Sequence, residues 1–188
     1  MKARRQWSSM LVFACAGCAG CDWGTTSRDD FERQYPCART TVFDPSTLGR
    51  ALAALERQIG GDDSLRVRTV DLRRDEVRVQ APDPRNAQHM NGYWWDDGEL
   101  HEPVPMPTLL VQWSDADFFS VRELPRDVRP FVKTGFAAAN VEDGHVTGLN
   151  IQRGHDGNLV LRVSSEGPRG SASVDVGLAG NVVDVHRH

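Results

Sequence analysis

Cysteine thiols near the start of the chain are the side chains best placed for covalent chemistry. Cys15, Cys18 and Cys21 stand three residues apart, with small residues between them. A thiolate is a nucleophile, so each of these groups can be acylated or can form a disulfide in an oxidising compartment. The residues before them begin with three basic side chains and continue into an apolar run at 10–14. This run is shorter than the ~20 residues that span a bilayer, so the segment is typical of a secretory signal.

The segment resembles the signal of bacterial lipoproteins, in which a small pair precedes the cysteine that is acylated. Cys18 and Cys21 both follow two small residues. Lipoprotein signals usually have leucine three residues before the acylated cysteine, and here Cys15 or Cys18 stands there. Acylation of Cys18 is favoured, because it leaves Cys21 and Cys37 as a pair that can form a disulfide. Acylation of Cys21 instead, or ordinary cleavage after Ala16, remain the alternatives.

The signal predicts a location in the cell envelope. The resemblance implies a lipid anchor in a membrane, with the protein facing the periplasm; without the lipid, it would be soluble in the periplasm or secreted. The chain carries no second apolar run long enough to cross a membrane. Loss of Lys2, Arg4 and Arg5 with the signal changes the formal charge from −4 to −7. Such an acidic chain is not expected to bind nucleic acid.

The rest of the chain contains no catalytic signature. Its serines do not stand in the G-x-S-x-G pattern of a nucleophile elbow. The segment 167–170 lacks the lysine of a phosphate-binding loop. His186 and His188 would share one face of a strand, but the sequence identifies no third metal ligand. We therefore predict no catalytic residue, no metal site and no cofactor.

Two amphipathic helices are predicted, one in each half of the chain. Asp44 and Pro45 supply a capping carboxylate and a proline suited to the first helical position, and Gly60-Gly61 ends that helix. Pro130 fits the second helix only if it lies in the first turn. The apolar stripes are Leu48, Leu52, Leu55 and Ile59 in the first helix, and Val128, Phe131, Val132, Phe136 and Ala139 in the second.

Four segments with strand character follow each helix. In the first half they are residues 65–72, 77–81, 91–95 and 99–103. In the second half they are residues 146–151, 159–163, 172–178 and 182–185. The repeated order predicts an α+β fold of two tandem repeats, each a helix packed on a four-stranded antiparallel sheet. The predicted boundaries are a signal at 1–20, a flexible tether at 21–42, a first repeat at 43–107, and a connector with the second repeat at 108–188.

This duplicated pattern resembles the helix-plus-sheet repeats of PepSY-like and beta-lactamase-inhibitor-protein-like domains. The resemblance covers residues 43–188 and includes the segments 76–84 and 93–98. It implies a non-catalytic exported domain that binds or restrains another protein. No family binding residues carry over, because no position matches a defined site motif.

An aromatic run in the third strand of the first half supplies a candidate binding face. Tyr93, Trp94 and Trp95 are consecutive, so their side chains alternate between the two faces of a sheet. At least one ring should therefore lie away from the helix of its own repeat and contact a protein or peptide partner in the envelope. The competing interpretation is that this ring packs on the tether, on the crossover at 103–107 or on the other repeat. Trp113 and Phe118-Phe119, in the connector, are expected to join the halves.

Two further functions remain open from the sequence. The first is an envelope hydrolase that uses scattered side chains, with Asp83, His89 and His101 as candidates. It would require these groups to converge in one concave pocket. The second is a purely structural lipoprotein without a specific ligand.

Overall fold

The computed structural model describes residues 44–59, 65–73, 76–107 and 113–188. The predicted signal and tether lie outside the described residues. The same holds for Cys18, Cys21 and Cys37, on which the lipidation and disulfide predictions depend.

Helix α1 (Pro45–Ile59) begins where the sequence predicts. The side chain of Asp44 caps it, because Oδ1 accepts a hydrogen bond of 2.9 Å from the backbone N–H of Ser46. Leu48 and Leu55 of the predicted stripe are buried in the core. Thr47 and Ala51 are buried as well, and Leu52 and Ile59 pack partly buried against the same core.

Helix α2 (Arg129–Ala139) also matches its prediction, with Pro130 in the first turn. Asn140 ends it in the left-handed conformation, at φ 49°. Gly135 allows the helix to lie close to the sheet, because a Cβ at this position would be 2.5 Å from a methyl carbon of Val163.

The strands after each helix form antiparallel meanders. In the first half they are β1 (Arg66–Val67), β2 (Thr69–Arg73), β3 (Glu76–Asp83), β4 (Asn86–Asp96), β5 (Glu99–Leu100) and β6 (Val104–Pro105). The connector contains two short 3₁₀ helices, Asp115–Asp117 and Val121–Glu123, and β7 (Phe119–Ser120) between them. In the second half they are β8 (His145–Arg153), β9 (Leu159–Gly167), β10 (Gly170–Gly177) and β11 (Val182–Arg187).

Within the described residues, nine of these strands form one sheet that spans both halves. Its order is β11-β10-β9-β8-β2-β3-β4-β5, and β6 pairs with β4. The halves meet at the first long strand of each, where β2 and β8 run antiparallel and Asp71 lies opposite Asn150. The fold is therefore α+β, with two helices and one large antiparallel sheet.

Both helices pack on the same face of this sheet. One hydrophobic core joins them to the inward-pointing side chains of the central strands. From β2, β3, β8, β9 and β10 these are Val70, Leu72, Val77, Val79, Leu149, Ile151, Leu161, Val163, Val174 and Val176. The other face of the sheet carries no helix in the part of the chain that the structure describes.

Two predicted strands differ from the structure. The segment 65–72 is interrupted at Arg68, so β1 leaves the main sheet and pairs with β7 as a separate two-stranded ribbon. The segment 99–103 is a strand only over Glu99–Leu100. Pro103 has no N–H to donate to a ladder, and pairing with β4 resumes only at Val104–Pro105.

Candidate binding face

The surface opposite the helices, here called the open face, is formed by the outward-pointing side chains of β4, β3, β2, β8, β9, β10 and β11. A single row of directly opposed residues crosses all seven strands. In strand order this central row is Trp94, Arg78, Asp71, Asn150, Arg162, Asp175 and Asp184. Because side chains alternate along a strand, all seven point to the same side of the sheet.

Trp94 gives the open face its large aromatic side chain. Its indole lies across Gly92, since a Cβ on that glycine would be only 3.1 Å from the ring. The guanidinium carbon of Arg78, on the neighbouring strand, lies 5.9 Å from the ring centroid. The ring is half-buried between these neighbours, so part of it remains accessible. Glycine, tryptophan and arginine together make a shallow aromatic platform.

The other two aromatic candidates do not belong to the open face. Tyr93 and Trp95 are 2% and 6% exposed and lie in the core on the helix side. The Arg50 guanidinium of α1 lies 5.4 Å from the centroid of the Trp95 ring. Burial raises the pKa of the Tyr93 hydroxyl above its ordinary value. Alternation along the strand explains this division, and it leaves Trp94 as the accessible ring of the three.

A second tryptophan stacks on an arginine at the border of the open face. The guanidinium carbon of Arg68 lies 4.0 Å from the centroid of the Trp113 ring. Nη1 of Arg68 also donates a hydrogen bond of 2.8 Å to Oε1 of Gln80, whose side chain is on the open face beside Gly92. The connector thus contributes one aromatic residue to this surface. Phe119, by contrast, is 1% exposed and belongs to the hydrophobic core.

Polar side chains hold the middle of the central row in fixed positions. Asn150 donates a hydrogen bond of 2.8 Å from Nδ2 to Oδ1 of Asp71. Arg162 binds both carboxylate oxygens of Asp175, at 2.7 and 2.8 Å. The hydrogen bonds from Arg162 lower the pKa of Asp175, which keeps this buried carboxyl ionised. Charges held in this way form a defined pattern that a partner can match.

Several polar atoms of this surface lack a hydrogen-bond partner within the described residues. They are Oγ1 of Thr69, Oδ1 of Asn150, Nε of Arg78 and Nε2 of His186 on the open face, and Nε1 of Trp113 at its border; Oγ of Ser165 is a further such atom on the helix side. Thr69 is only 6% exposed. Unpaired buried polar groups are rare in native proteins and cost about 1–3 kcal/mol each. Most of these unpaired atoms lie on or beside the open face, so this surface has the most polar groups without an internal hydrogen bond among the described residues.

The side chains proposed for hydrolysis do not converge. Asp83 accepts a hydrogen bond from the backbone N–H of Arg85 in the β3–β4 turn, and His89 is exposed near the same end of β4. His101 hydrogen-bonds to Asp96 at the far end of that strand. That hydrogen bond raises the pKa of the His101 ring. The three side chains therefore do not form one site.

A surface cleft of about 550 Å³ lies elsewhere, beside the β1–β7 ribbon. Arg66, Arg153, Asp115, Glu123 and Phe118 are among its lining residues. Each arginine is paired within the cleft, Arg66 with Asp115 at 3.1 Å and Arg153 with Glu123 at 2.8 Å. None of the predicted hydrolase side chains lines this cleft.

At the C-terminal edge, His186 lies on the open face. Its Nε2 is 3.5 Å from a carboxylate oxygen of Asp184 and 3.7 Å from one of Asp175. Among the residues that the structure describes, no group of three or more side chains is arranged to hold a metal ion. Neither described helix combines the length and apolar character needed to cross a bilayer.

No protein-family model matches the chain, and no curated protein matches it. Among solved structures, the crystal structure of a putative lipoprotein from Clostridium difficile 630 has a TM-score of 0.51. The alignment covers 73% of this chain and 90% of that chain at 12% identity. The two proteins share a fold. At this identity, the comparison concerns the architecture alone.

The sequence predicted that at least one ring of residues 93–95 would lie away from the helix, but neither which ring nor the charged row beside it. The sequence contains a signal for one part of this row. The turn between residues 167 and 170 sets the register of β9 and β10 and so places Arg162 opposite Asp175. The pairing of β2 with β8 has no comparable signal. It joins residues that are 79 positions apart, such as Asp71 and Asn150.

Proposed function

We propose that this protein is an exported, lipid-anchored envelope protein that binds another protein through its open face, without catalysis. Two observations support the location. The N-terminal segment resembles a lipoprotein signal, and a solved structure that shares this fold is named a putative lipoprotein. The proposal places the anchor on Cys18 and the folded part in the periplasm.

The position of Trp94 on the open face is the observation on which the binding proposal rests. Trp94 is half-buried on a sheet face that carries no helix among the described residues. Supported by Gly92 and flanked by Arg78, it has the composition of a binding hot spot. Antiparallel sheets that pack helices on one face can present the other to a partner. The fixed charges of the central row add a pattern for orientation and specificity.

Binding is favoured over hydrolysis because of where the candidate side chains lie. Asp83 and His89 are near one end of β4, whereas His101 is near the other. A hydrolytic site requires an acid or base within hydrogen-bond reach of the same substrate atom. The open face, in contrast, groups its aromatic, cationic and anionic side chains on one surface.

The proposal extends to the origin of the fold. We infer that the two halves are copies of one helix-plus-meander unit, of the kind seen in PepSY-like and beta-lactamase-inhibitor-protein-like domains. The order of elements supports this, since each helix precedes strands in a simple meander. The contact between the halves supports it as well, because each half contributes its first long strand, β2 or β8, to that contact.

Copurification tests the binding proposal directly. The full chain, expressed in its own envelope, is mildly crosslinked, solubilised in detergent and captured. We expect a stoichiometric protein partner that is lost with Trp94→Ala. The matched control is Leu178→Ala, which removes an apolar side chain that is 46% exposed in the β10–β11 turn. A partner that is retained by Trp94→Ala, or no partner together with hydrolase activity on a substrate panel, would overturn the proposal.

Mass spectrometry of the mature N-terminus tests the anchor. We expect acylated Cys18 as the first residue and loss of acylation in Cys18→Ser. A mature chain that starts at Cys21 would assign the lipid there instead. An unmodified start at residue 17 would show ordinary cleavage and contradict the lipid anchor.

A further inference from the structure

Four of the five charges of the central row form mirrored pairs about its middle residue, and the fifth, Asp184, is mirrored by Trp94. Asn150 on β8 has three strands of the row on either side. Asp71 and Arg162 are one strand away from it on opposite sides. Arg78 and Asp175 are two strands away on opposite sides. In each of these mirrored pairs, one member is a cation and the other is an anion.

This arrangement makes the open face complementary to itself in one orientation. A two-fold axis that runs along the strands above Asn150 would bring Asp71 of one copy onto Arg162 of a second copy, and the reverse. It would also bring Arg78 onto Asp175. An axis across the strands would instead place each charge against its own copy, and like charges repel. The pattern therefore distinguishes the two ways of stacking the sheet on itself.

Three pairs in the neighbouring rows of the open face fit this orientation, whereas a fourth brings Thr69 opposite the apolar Val160. One neighbouring row lies two residues along each strand from the central row. In that row, the same axis brings Asp96 of one copy opposite His186 of the other, and Glu76 opposite Ser173. The other neighbouring row lies two residues from the central row in the opposite direction. There the axis brings Gln80 opposite Gly177, so a long side chain faces a glycine. A carboxylate that faces an imidazole or a hydroxyl has a hydrogen-bond donor, and bulk that faces glycine can pack without overlap.

The dimensions of the face are sufficient for an interface between two copies. Seven strands spaced about 4.8 Å apart, with roughly six residues of about 3.3 Å each, give a face of roughly 600 Å². Specific complexes bury about 600–1,000 Å² on each partner. Packed sheets keep their strands within about 30° of each other. One strand from the axis, such a rotation displaces a residue by only about 2–3 Å, so the Asp71–Arg162 contacts tolerate it best.

We propose that the open face binds a second copy of this chain, face to face, about a two-fold axis at Asn150. The inference rests on the proposed function, because it names the partner of the same surface. The contacts between Asp71 and Arg162 of opposite copies occur twice in such a dimer. They carry its specificity, and the platform of Trp94 lies toward one end of each copy.

Charge reversal gives this dimer a distinctive signature. Two tagged full-length copies are coexpressed in a Gram-negative host, the envelope is solubilised in detergent, and one tag is captured while the other is quantified. We expect wild-type copies to capture each other. Asp71→Arg should reduce capture of its own kind at least tenfold, and Arg162→Asp should do the same, because each creates two repulsive contacts. A mixture of the two variants should restore capture, since both contacts become attractive again.

Matched controls and a second variant keep the test decisive. Glu56→Arg and Arg57→Asp make the same charge changes on exposed positions of α1, on the helix side, and should leave capture unchanged. Arg162→Asp places a carboxylate opposite Asp175, so its fold is checked by circular dichroism. If it does not fold, Arg162→Gln replaces it. Asp71→Arg copies should capture Arg162→Gln copies better than they capture each other. In the mixed pair, one of the two contacts is attractive and the other is neutral.

The outcomes separate this inference from the proposed function. If wild-type copies do not capture each other, or if the mixture is no better than either variant alone, the dimer is wrong. Recovery of a different crosslinked protein that is lost with Trp94→Ala would then leave the proposed function standing. If wild-type copies capture each other and the mixed variants recover, the dimer holds, and loss of this capture with Trp94→Ala would then support the proposed function as well. Capture that is equal for the open-face and helix-side variants would assign the contact to another surface and overturn the inference.

Discussion

Arg162 and Asp175 stand directly opposite each other on β9 and β10, and two hydrogen bonds of 2.7 and 2.8 Å join them. The carboxylate side chain is 11% exposed, and the guanidinium side chain is 37% exposed. Planar bidentate pairing of this kind fixes both side chains in one geometry. The pair therefore stabilises the second meander and, at the same time, sets the charge pattern of the open face.

Removal of the carboxylate should reduce stability. We expect Asp175→Ala to lower the free energy of unfolding by about 1–2 kcal/mol, since it leaves the half-buried guanidinium unpaired while partial exposure screens the loss. Asp184→Ala, on the neighbouring strand with a side chain that is 60% exposed, should cost less than about 0.5 kcal/mol. Urea denaturation measures both. Equal losses for the two variants would contradict a specific role for the pair.

The same pair should make stability depend on pH. The Arg162 hydrogen bonds hold the pKa of Asp175 below its ordinary value, so its stabilising contribution is complete above the unfolded-state pKa of about 3.9. That contribution is lost as the pH falls through the lower folded-state pKa. We expect the stability difference between the wild type and Asp175→Asn to shrink as the pH falls below about 4. A difference that stays constant with pH would exclude ionisation as its cause.

His101 should titrate under the control of Asp96. The hydrogen bond to Asp96 raises the pKa of the imidazole, and the negative charge of that carboxylate adds to the effect. The protonated ring is thus favoured in the folded state, and its contribution is lost as the pH rises through the raised pKa. NMR titration should show that Asp96→Asn lowers the pKa of His101. Asp97→Asn should lower it less, because Asp97 is the weakest of the contributing charges; an equal effect would refute the pairing.

A methyl group at Gly135 should disturb the contact between α2 and the sheet. A Cβ there would lie 2.5 Å from a side-chain carbon of Val163, so Gly135→Ala should cost about 1–3 kcal/mol through overpacking. Gly49→Ala is the matched control in α1, where no heavy atom lies within 4 Å of the added Cβ. It should be neutral or stabilising by up to about 1 kcal/mol, because alanine is the better helix former. Thermal melts compare the two, and a Gly135→Ala protein as stable as the control would show that the helix can shift freely.

Local features of the sequence predict local features of this fold. The Asp44 cap, the position of Pro130 in α2 and the turns at Gly98 and Gly157 follow from the chemistry of a few neighbouring residues. Alternation also predicts that Trp94 and its neighbours divide between two faces. These predictions require no knowledge of distant strands.

The assembly of the two meanders could not be predicted in the same way. The alternation in β2 and β8 indicates which side chains are buried, but it does not indicate which strand lies beside which. The break at Arg68 likewise depends on Gln80 and on Trp113, which lies in the connector. The continuous central row exists only because these long-range pairings form.

The ladder between β2 and β8 has a consequence for how the protein melts. If either meander detached, it would expose a central strand with a row of unpaired main-chain donors and acceptors, together with the apolar side chains that the other half covers. One continuous hydrophobic core includes buried side chains from both meanders. Loss of order on one side of the ladder therefore removes support from the other, which makes a single cooperative transition the natural mode of unfolding for the described part of the chain.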